Sequence, residues 1–102
     1  MTLVDEAFAG LFGSEAFSFG IKLKYSSKFK PYNANVQKFS DTLHFSLSRS
    51  WKGVSREIVL GLLQHLLLKI LKRKIAKPTT NMLLYDAFIR SMSELVTSGS
   101  GS

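Results

Sequence analysis

The chain has 102 residues, 45% of them hydrophobic with eight Phe and one Trp, and a formal net charge of +7. That is enough apolar material for one packed core, which excludes a disordered chain, and the absence of cysteine excludes a disulfide scaffold and any thiolate metal site. The charge is uneven: between Ile21 and Lys77 thirteen Lys/Arg stand against two acids, Asp41 and Glu57, a local balance of about +11, while the two ends together come to about −4, and this asymmetry points to a polyanionic partner.

In chain order, VDEAFAGLFG is predicted to be a short helix, with Asp5 and Glu6 in its first turn, Phe8, Leu11 and Phe12 facing the core and Gly13 as its stop. From Phe17 the period changes to two: Phe19, Ile21, Leu23 and Tyr25 alternate with Ser18, Gly20, Lys22 and Lys24, a half-buried strand. The polar stretch SSKFKPYNAN is a long connection, with Pro31 unable to donate to a ladder and Asn33 and Asn35 suited to turns. Val36–Phe39 and TLHFSLS then form a hairpin about the two-residue turn Ser40-Asp41, with Leu43, Phe45 and Leu47 on the buried face.

Trp51, in the loop RSWKGVS, is expected to plug the junction between sheet and helix. Ser55 is a suitable N-cap for a long central helix running to about Lys74, where Lys69, Lys72, Arg73 and Lys74 complement the negative end of the dipole and Pro78 forbids continuation. Gly61 within it costs helix stability, which predicts close packing against a strand or the last helix. Thr79 or Thr80 caps a last helix with an apolar stripe of Met82, Leu83, Leu84, Phe88, Met92 and Leu95 and a charged row of Asp86, Arg90 and Glu94. The expected architecture is a single α+β domain over residues 1–96: a short N-terminal helix, a small, mostly antiparallel three-stranded sheet, and a long central helix and C-terminal helix packed on one face. Residues 97–102, TSGSGS, read as an appended flexible tail.

No secretory signal is expected, because MTLVDEAFAGLF carries acids where such a segment carries lysine or arginine. The longest apolar stretch, Ile58–Leu71, would span about 21 Å as a helix, short of a ~30 Å bilayer, and contains Gln64, His65 and Lys69, so a cytoplasmic protein without a membrane span is expected. The glycines at 10, 13, 20, 53 and 61 form no phosphate loop. In KLKYSSKFKPY, lysines 22, 24, 28 and 30 interleave with Tyr25, Phe29 and Tyr32, the ingredients of single-stranded nucleic-acid binding. Tyr25 shares the parity of the core residues, however, and lysines also protect a strand edge from aggregation. His44 lies on the polar face of its strand, solvated or hydrogen-bonded.

The order of elements, with the stretches NVQKFSDTLHFSLSRSW and VSREIVLGLLQHLLLKIL, resembles the minimal zinc-metallopeptidase core of the SprT-like and minigluzincin proteins over about Ile21 to Lys72. In that family the central helix carries HExxH, two zinc-binding histidines one turn apart with a glutamate that activates the bound water. The resemblance sets Gln64 at the first ligand, His65 at the glutamate and Leu68 at the second ligand; shifting by one residue uses His65 but brings Leu66 and Lys69 to the other two places. Either way at least two of three groups are missing, so the resemblance implies a non-catalytic descendant without metal or cofactor, with Gln64, His65 and Leu68 as vestigial positions. From burial alone, Glu57, Gly61, Gln64, His65, Leu68 and Lys72 are expected to form the less buried edge of a core helix.

The leading expectation is a non-enzymatic basic module that meets nucleic acid or an acidic protein through Lys22, Lys24, Lys28, Lys30, Lys72, Arg73 and Lys74. The alternative is a structural protein that forms a homo-oligomer through its two apolar C-terminal helices; a zinc-dependent peptidase is the remote one.

Overall fold

The computed structural model describes residues 3–13, 18–28 and 30–99, with side chains as far as residue 92. The elements are α1 (Leu3–Phe12), β1 (Gly20–Ser26), β2 (Ala34–Phe39), β3 (Thr42–Ser48), a 3₁₀ turn at Arg49–Gly53, α2 (Arg56–Leu71) and α3 (Thr80–Gly99). This is the expected α+β order. The start of the first strand, at Phe17, lies outside the described residues, and β1 proper begins at Gly20.

The hairpin forms as its alternation requires. β2 and β3 pair antiparallel from Ala34↔Leu47 to Phe39↔Thr42, about the two-residue turn Ser40-Asp41. β1 pairs parallel to β3, from Gly20↔Thr42 to Ser26↔Ser48, so the strand order is β1-β3-β2. The sheet is therefore mixed rather than mostly antiparallel. The cause is the long connection after Ser26: it returns the chain two strand positions away, and β3 fills the gap between β1 and β2. Tyr32, at φ 62°, and Asn33 fix that connection. The Tyr32 N–H donates to Ser50 Oγ (2.9 Å), and the Asn33 carbonyl accepts from both Ser48 N (2.9 Å) and Trp51 Nε1 (3.1 Å).

Side-chain parity builds the core. Leu43, Phe45 and Leu47 are fully buried on the inner face of the central strand, flanked by Val36 on one side and the half-buried Ile21, Leu23 and Tyr25 on the other. The buried face of α2, carrying Val59, Leu62, Leu63 and Leu67, belongs to the same core, and α1 and α3 both pack on α2. Trp51 is 1% exposed and does plug the junction, its ring meeting Tyr32, Tyr85 and Phe88 at centroid distances of 5.5 to 6.0 Å. Burying such a ring with its N–H satisfied removes a large apolar area from water at little polar cost.

Helix ends follow local rules with two differences from expectation. Gly13 closes α1 at φ +63°, its N–H donating to Ala9 O (2.8 Å). Thr79 caps α3, accepting from Met82 N (3.1 Å). Ser55 occupies the N-cap of α2 but makes no side-chain cap bond. α2 stops at Leu71, before Lys74, because Lys72 takes the left-handed conformation (φ 55°) and the N–H groups of Lys72 and Arg73 turn back to Lys69 O and Leu68 O. On α3, Leu83 and Leu84 are exposed, and Tyr85 and Ile89 join Met82 and Phe88 against the core instead. Those four fall at i, i+3, i+6 and i+7, which a single helix face accommodates, whereas 83 and 84 point off it. Arg90 pairs with Asp86 at 3.1 Å as the charged row predicts; the side chains of Glu94 and Leu95 lie outside the described residues. The backbone of α3 continues to Gly99, so the first residues of the segment read as a tail extend the helix, and residues 100–102 lie outside the described ones. No helix among the described residues is long and apolar enough to cross a membrane.

Candidate nucleic-acid interface

The stretch GLLQHLLLKIL is a packing device. Gly61 is buried where α3 crosses α2: a Cβ there would overlap the Asn81 carbonyl oxygen and stand 2.7 Å from Tyr85 Cβ. Close approach to the last helix is thus its reason. Gln64 is 1% exposed rather than part of a less buried edge, because α1 and the start of α3 both cover it. Its amide donates to Ala7 O (3.2 Å), its carbonyl accepts from the Thr79 hydroxyl, and Gly10 supplies the space, since a Cβ there would stand 2.5 Å from Gln64 Nε2. One buried amide therefore joins three helices with its polar atoms satisfied.

His65 is exposed, its ring 4.9 Å from that of Tyr85. Partial burial holds the imidazole pKa below its ordinary 6.5, with the Asp86 carboxylate opposing the shift. Burial and the same carboxylate push the Tyr85 phenol above its ordinary pKa. Leu68 is half-buried. Among the described residues no three His, Cys, Asp or Glu side chains gather as a metal site.

The outer face of the sheet has a different character. The residues opposite the core in parity form rows across the three strands: Gly20, Thr42 and Phe39; then Lys22, His44 and Gln37; then Lys24, Ser46 and Asn35. Lys22, Lys24, Gln37 and Phe39 are exposed, and with His44 and Ser46 they line a shallow concavity of about 640 Å³. Among the described residues no acidic side chain lines it. Phe39 is 55% exposed, and its ring meets that of His44 edge to face at 4.9 Å, the diagonal contact that the hairpin register allows. A second concavity, about 380 Å³, lies by Tyr25, Trp51, Lys52 and Arg56, but its cations are engaged: Lys52 sits over the Tyr25 ring and Arg56 pairs with Glu6.

The seven basic residues singled out from the sequence fall into three places. Lys22 and Lys24 stand side by side on the open face, two residues apart on one strand. Lys28 and Lys30 are exposed in the connection that leaves the same strand. Lys72, Arg73 and Lys74 follow α2, whose 16 residues put them about 24 Å from the 3₁₀-turn end of that helix, to which the connection is tied. Arg73 lies over the Phe12 ring, 4.0 Å from its centroid. The aromatic candidates divide likewise: Tyr25 faces the core, Tyr32 is packed against Trp51 and Phe88, and Phe29 lies outside the described residues. Phe39 and His44 are the ring pair that the open face presents. Their pairing was implicit in the sequence, since a two-residue turn sets Phe39 opposite Thr42 and diagonal to His44.

Comparison with protein-family models, with characterised proteins and with solved structures finds no match to this chain.

Proposed function

We propose that the chain is a cytoplasmic, non-catalytic binding module that takes nucleic acid on the open face of its sheet. The observation that carries the reading is that face itself: an exposed Phe39 held beside His44, two lysines on the opposite edge strand, and no acid among the described lining side chains. Lysines that follow a phosphate backbone beside a ring able to stack on bases are what such recognition uses. Lys28 and Lys30 extend the positive line where the strand exits, and Lys72, Arg73 and Lys74 offer a separate contact to a longer polymer.

The non-catalytic part of the reading is supported by Gln64, whose amide is committed to Ala7 and Thr79, and by Leu68, which cannot bind metal. A SprT-like ancestry accords with this as the loss of a metal site to packing. Stoichiometric zinc in the purified protein would overturn it.

Fluorescence anisotropy with labelled RNA and DNA tests the reading. Binding should weaken steeply with salt, and the Lys22→Glu/Lys24→Glu protein should lose about 1.4 from the slope of log K on log salt if each lysine neutralises one phosphate of a single strand. Absence of binding at low ionic strength refutes the proposal.

A second reading, self-assembly, is favoured by Leu83 and Leu84, 56% and 42% exposed on α3. Sedimentation showing a tight oligomer without affinity for nucleic acid would select it.

A further inference from the structure

We propose that Phe39, braced by His44, is a base-stacking subsite that makes the domain selective for unpaired nucleic acid over duplex. The inference rests on the nucleic-acid reading above and deepens it by assigning the ligand class. Three observations carry it. Phe39 is a large apolar side chain standing 55% exposed on a face whose other rows carry Lys22, His44 and Gln37, then Lys24, Ser46 and Asn35. Its ring rests edge to face against His44, a contact that restricts its rotor and lowers the ordering cost for a base that stacks there. And the row it belongs to is low at its far end: Gly20 has no side chain, and a Cβ there would stand 3.2 Å from Thr42 Oγ1. A planar base laid on Phe39 can therefore extend towards Thr42, and Gly20, at the end of that row, adds no side chain of its own.

The lysines lie at a usable distance. Two strand spacings of ~4.8 Å and one two-residue step of ~6.8 Å put the backbones of Phe39 and Lys22 about 12 Å apart, with Lys24 one further step along. A flexible lysine stem shortens that gap, so a strand with one base on Phe39 passes its backbone over Lys22 and Lys24. In a duplex the bases are stacked on one another and the outer surface is phosphate. Duplex can meet the lysines but cannot use the ring.

The test compares the parent chain with Phe39→Ala, Phe39→Tyr and Lys22→Glu/Lys24→Glu against three labelled probes: a short unstructured oligouridine, an oligothymidine and a duplex of matched length. Circular dichroism checks that the exposed-site variants remain folded. Phe39→Ala should lose about five- to a hundredfold in affinity for the unpaired probes. Its duplex affinity should stay within about twofold, since stacking takes no part there, and Phe39→Tyr should keep most of the parent's selectivity. Equal losses on all three probes, or no loss while the lysine variant abolishes binding, would overturn the stacking subsite and leave the basic-face reading intact. If the parent binds none of the probes at low ionic strength, both fail. The two unpaired probes separate RNA from DNA, because only the former offers 2′-hydroxyls to Gln37 and Ser46.

Discussion

Replacing Gly61 by alanine sets two effects of known sign against each other. In an exposed helix the substitution would stabilise by up to ~1 kcal/mol, because glycine loses more backbone freedom on folding. At Gly61 the new methyl overlaps a backbone oxygen of Asn81, which has no rotamer to retreat into, and crowds Tyr85 Cβ. Restoring ordinary contact requires α3 to withdraw by roughly 1 Å, which loosens the Asn81 Nδ2 bond to Glu57 O (3.0 Å) and the Thr79 contact with Gln64. Overpacking of this kind costs ~1–3 kcal/mol and outweighs the propensity gain. For a domain of this size each kilocalorie moves the midpoint by about 4–8 °C, so a net loss of ~1–2 kcal/mol after the propensity gain should lower the Tm of Gly61→Ala by roughly 4–16 °C. Gly53→Ala is the matched control, since a Cβ there meets nothing within 4 Å; its Tm should be unchanged or slightly raised. Thermal melts of both variants decide the matter. A Gly61→Ala protein as stable as its parent would show that α2 and α3 do not cross at this distance.

The Gln64 junction gives a second expectation. Thr79→Val keeps the shape but removes both the cap to Met82 N and the partner of the buried Gln64 carbonyl, a loss of about 2–4 kcal/mol in denaturant titration. The Thr79→Val/Gln64→Leu double variant should cost less than the sum of its singles, and strict additivity would disprove the coupling. His65 supplies a pH dependence. Its folded pKa lies below 6.5, so the unfolded chain takes up its proton first and the fold loses stability as pH falls through and below that value. His65→Gln should flatten this part of the stability profile and Asp86→Asn should steepen it; a parent profile already flat from pH 7 to 5 would contradict the burial of the ring.

Much of this fold is legible in the alternation of its residues. Leu43, Phe45 and Leu47 against Thr42, His44 and Ser46 specify one strand and its faces, and the period-two run at Ile21, Leu23 and Tyr25 specifies another. What alternation does not carry is which strands are neighbours. The parallel pairing of β1 with β3 depends on where the 27–33 connection is fastened, and its fastenings are single hydrogen bonds: Ser48 and Trp51 donate to the Asn33 carbonyl, and Ser50 Oγ accepts from Tyr32 N–H. Gln64 illustrates the other limit. A glutamine on a leucine-rich helix reads as an edge residue because polar side chains are seldom buried, and only the assembled α1 and α3 provide the carbonyl and hydroxyl that satisfy it. The candidate site was half visible: the lysine parity was plain, whereas the importance of Phe39 rested on the hairpin register and on its exposure on the outer face of the sheet.

The strand order also governs the timetable of assembly. A hairpin such as β2–β3 closes in microseconds, and α2 and α3 are adjacent in sequence, so the C-terminal two-thirds can organise from near neighbours. β1 has no ladder partner until β3 exists, and α1 packs on α2, Glu6 reaching Arg56 across fifty residues. On the ribosome these two segments emerge before β3 and α2 and cannot pair with them until the middle of the chain has followed. For that interval the apolar side chains of Val4, Phe8, Ile21 and Leu23 are unshielded. The lysines at 22 and 24, spaced between them on the waiting strand, are well placed to discourage premature pairing with another nascent chain.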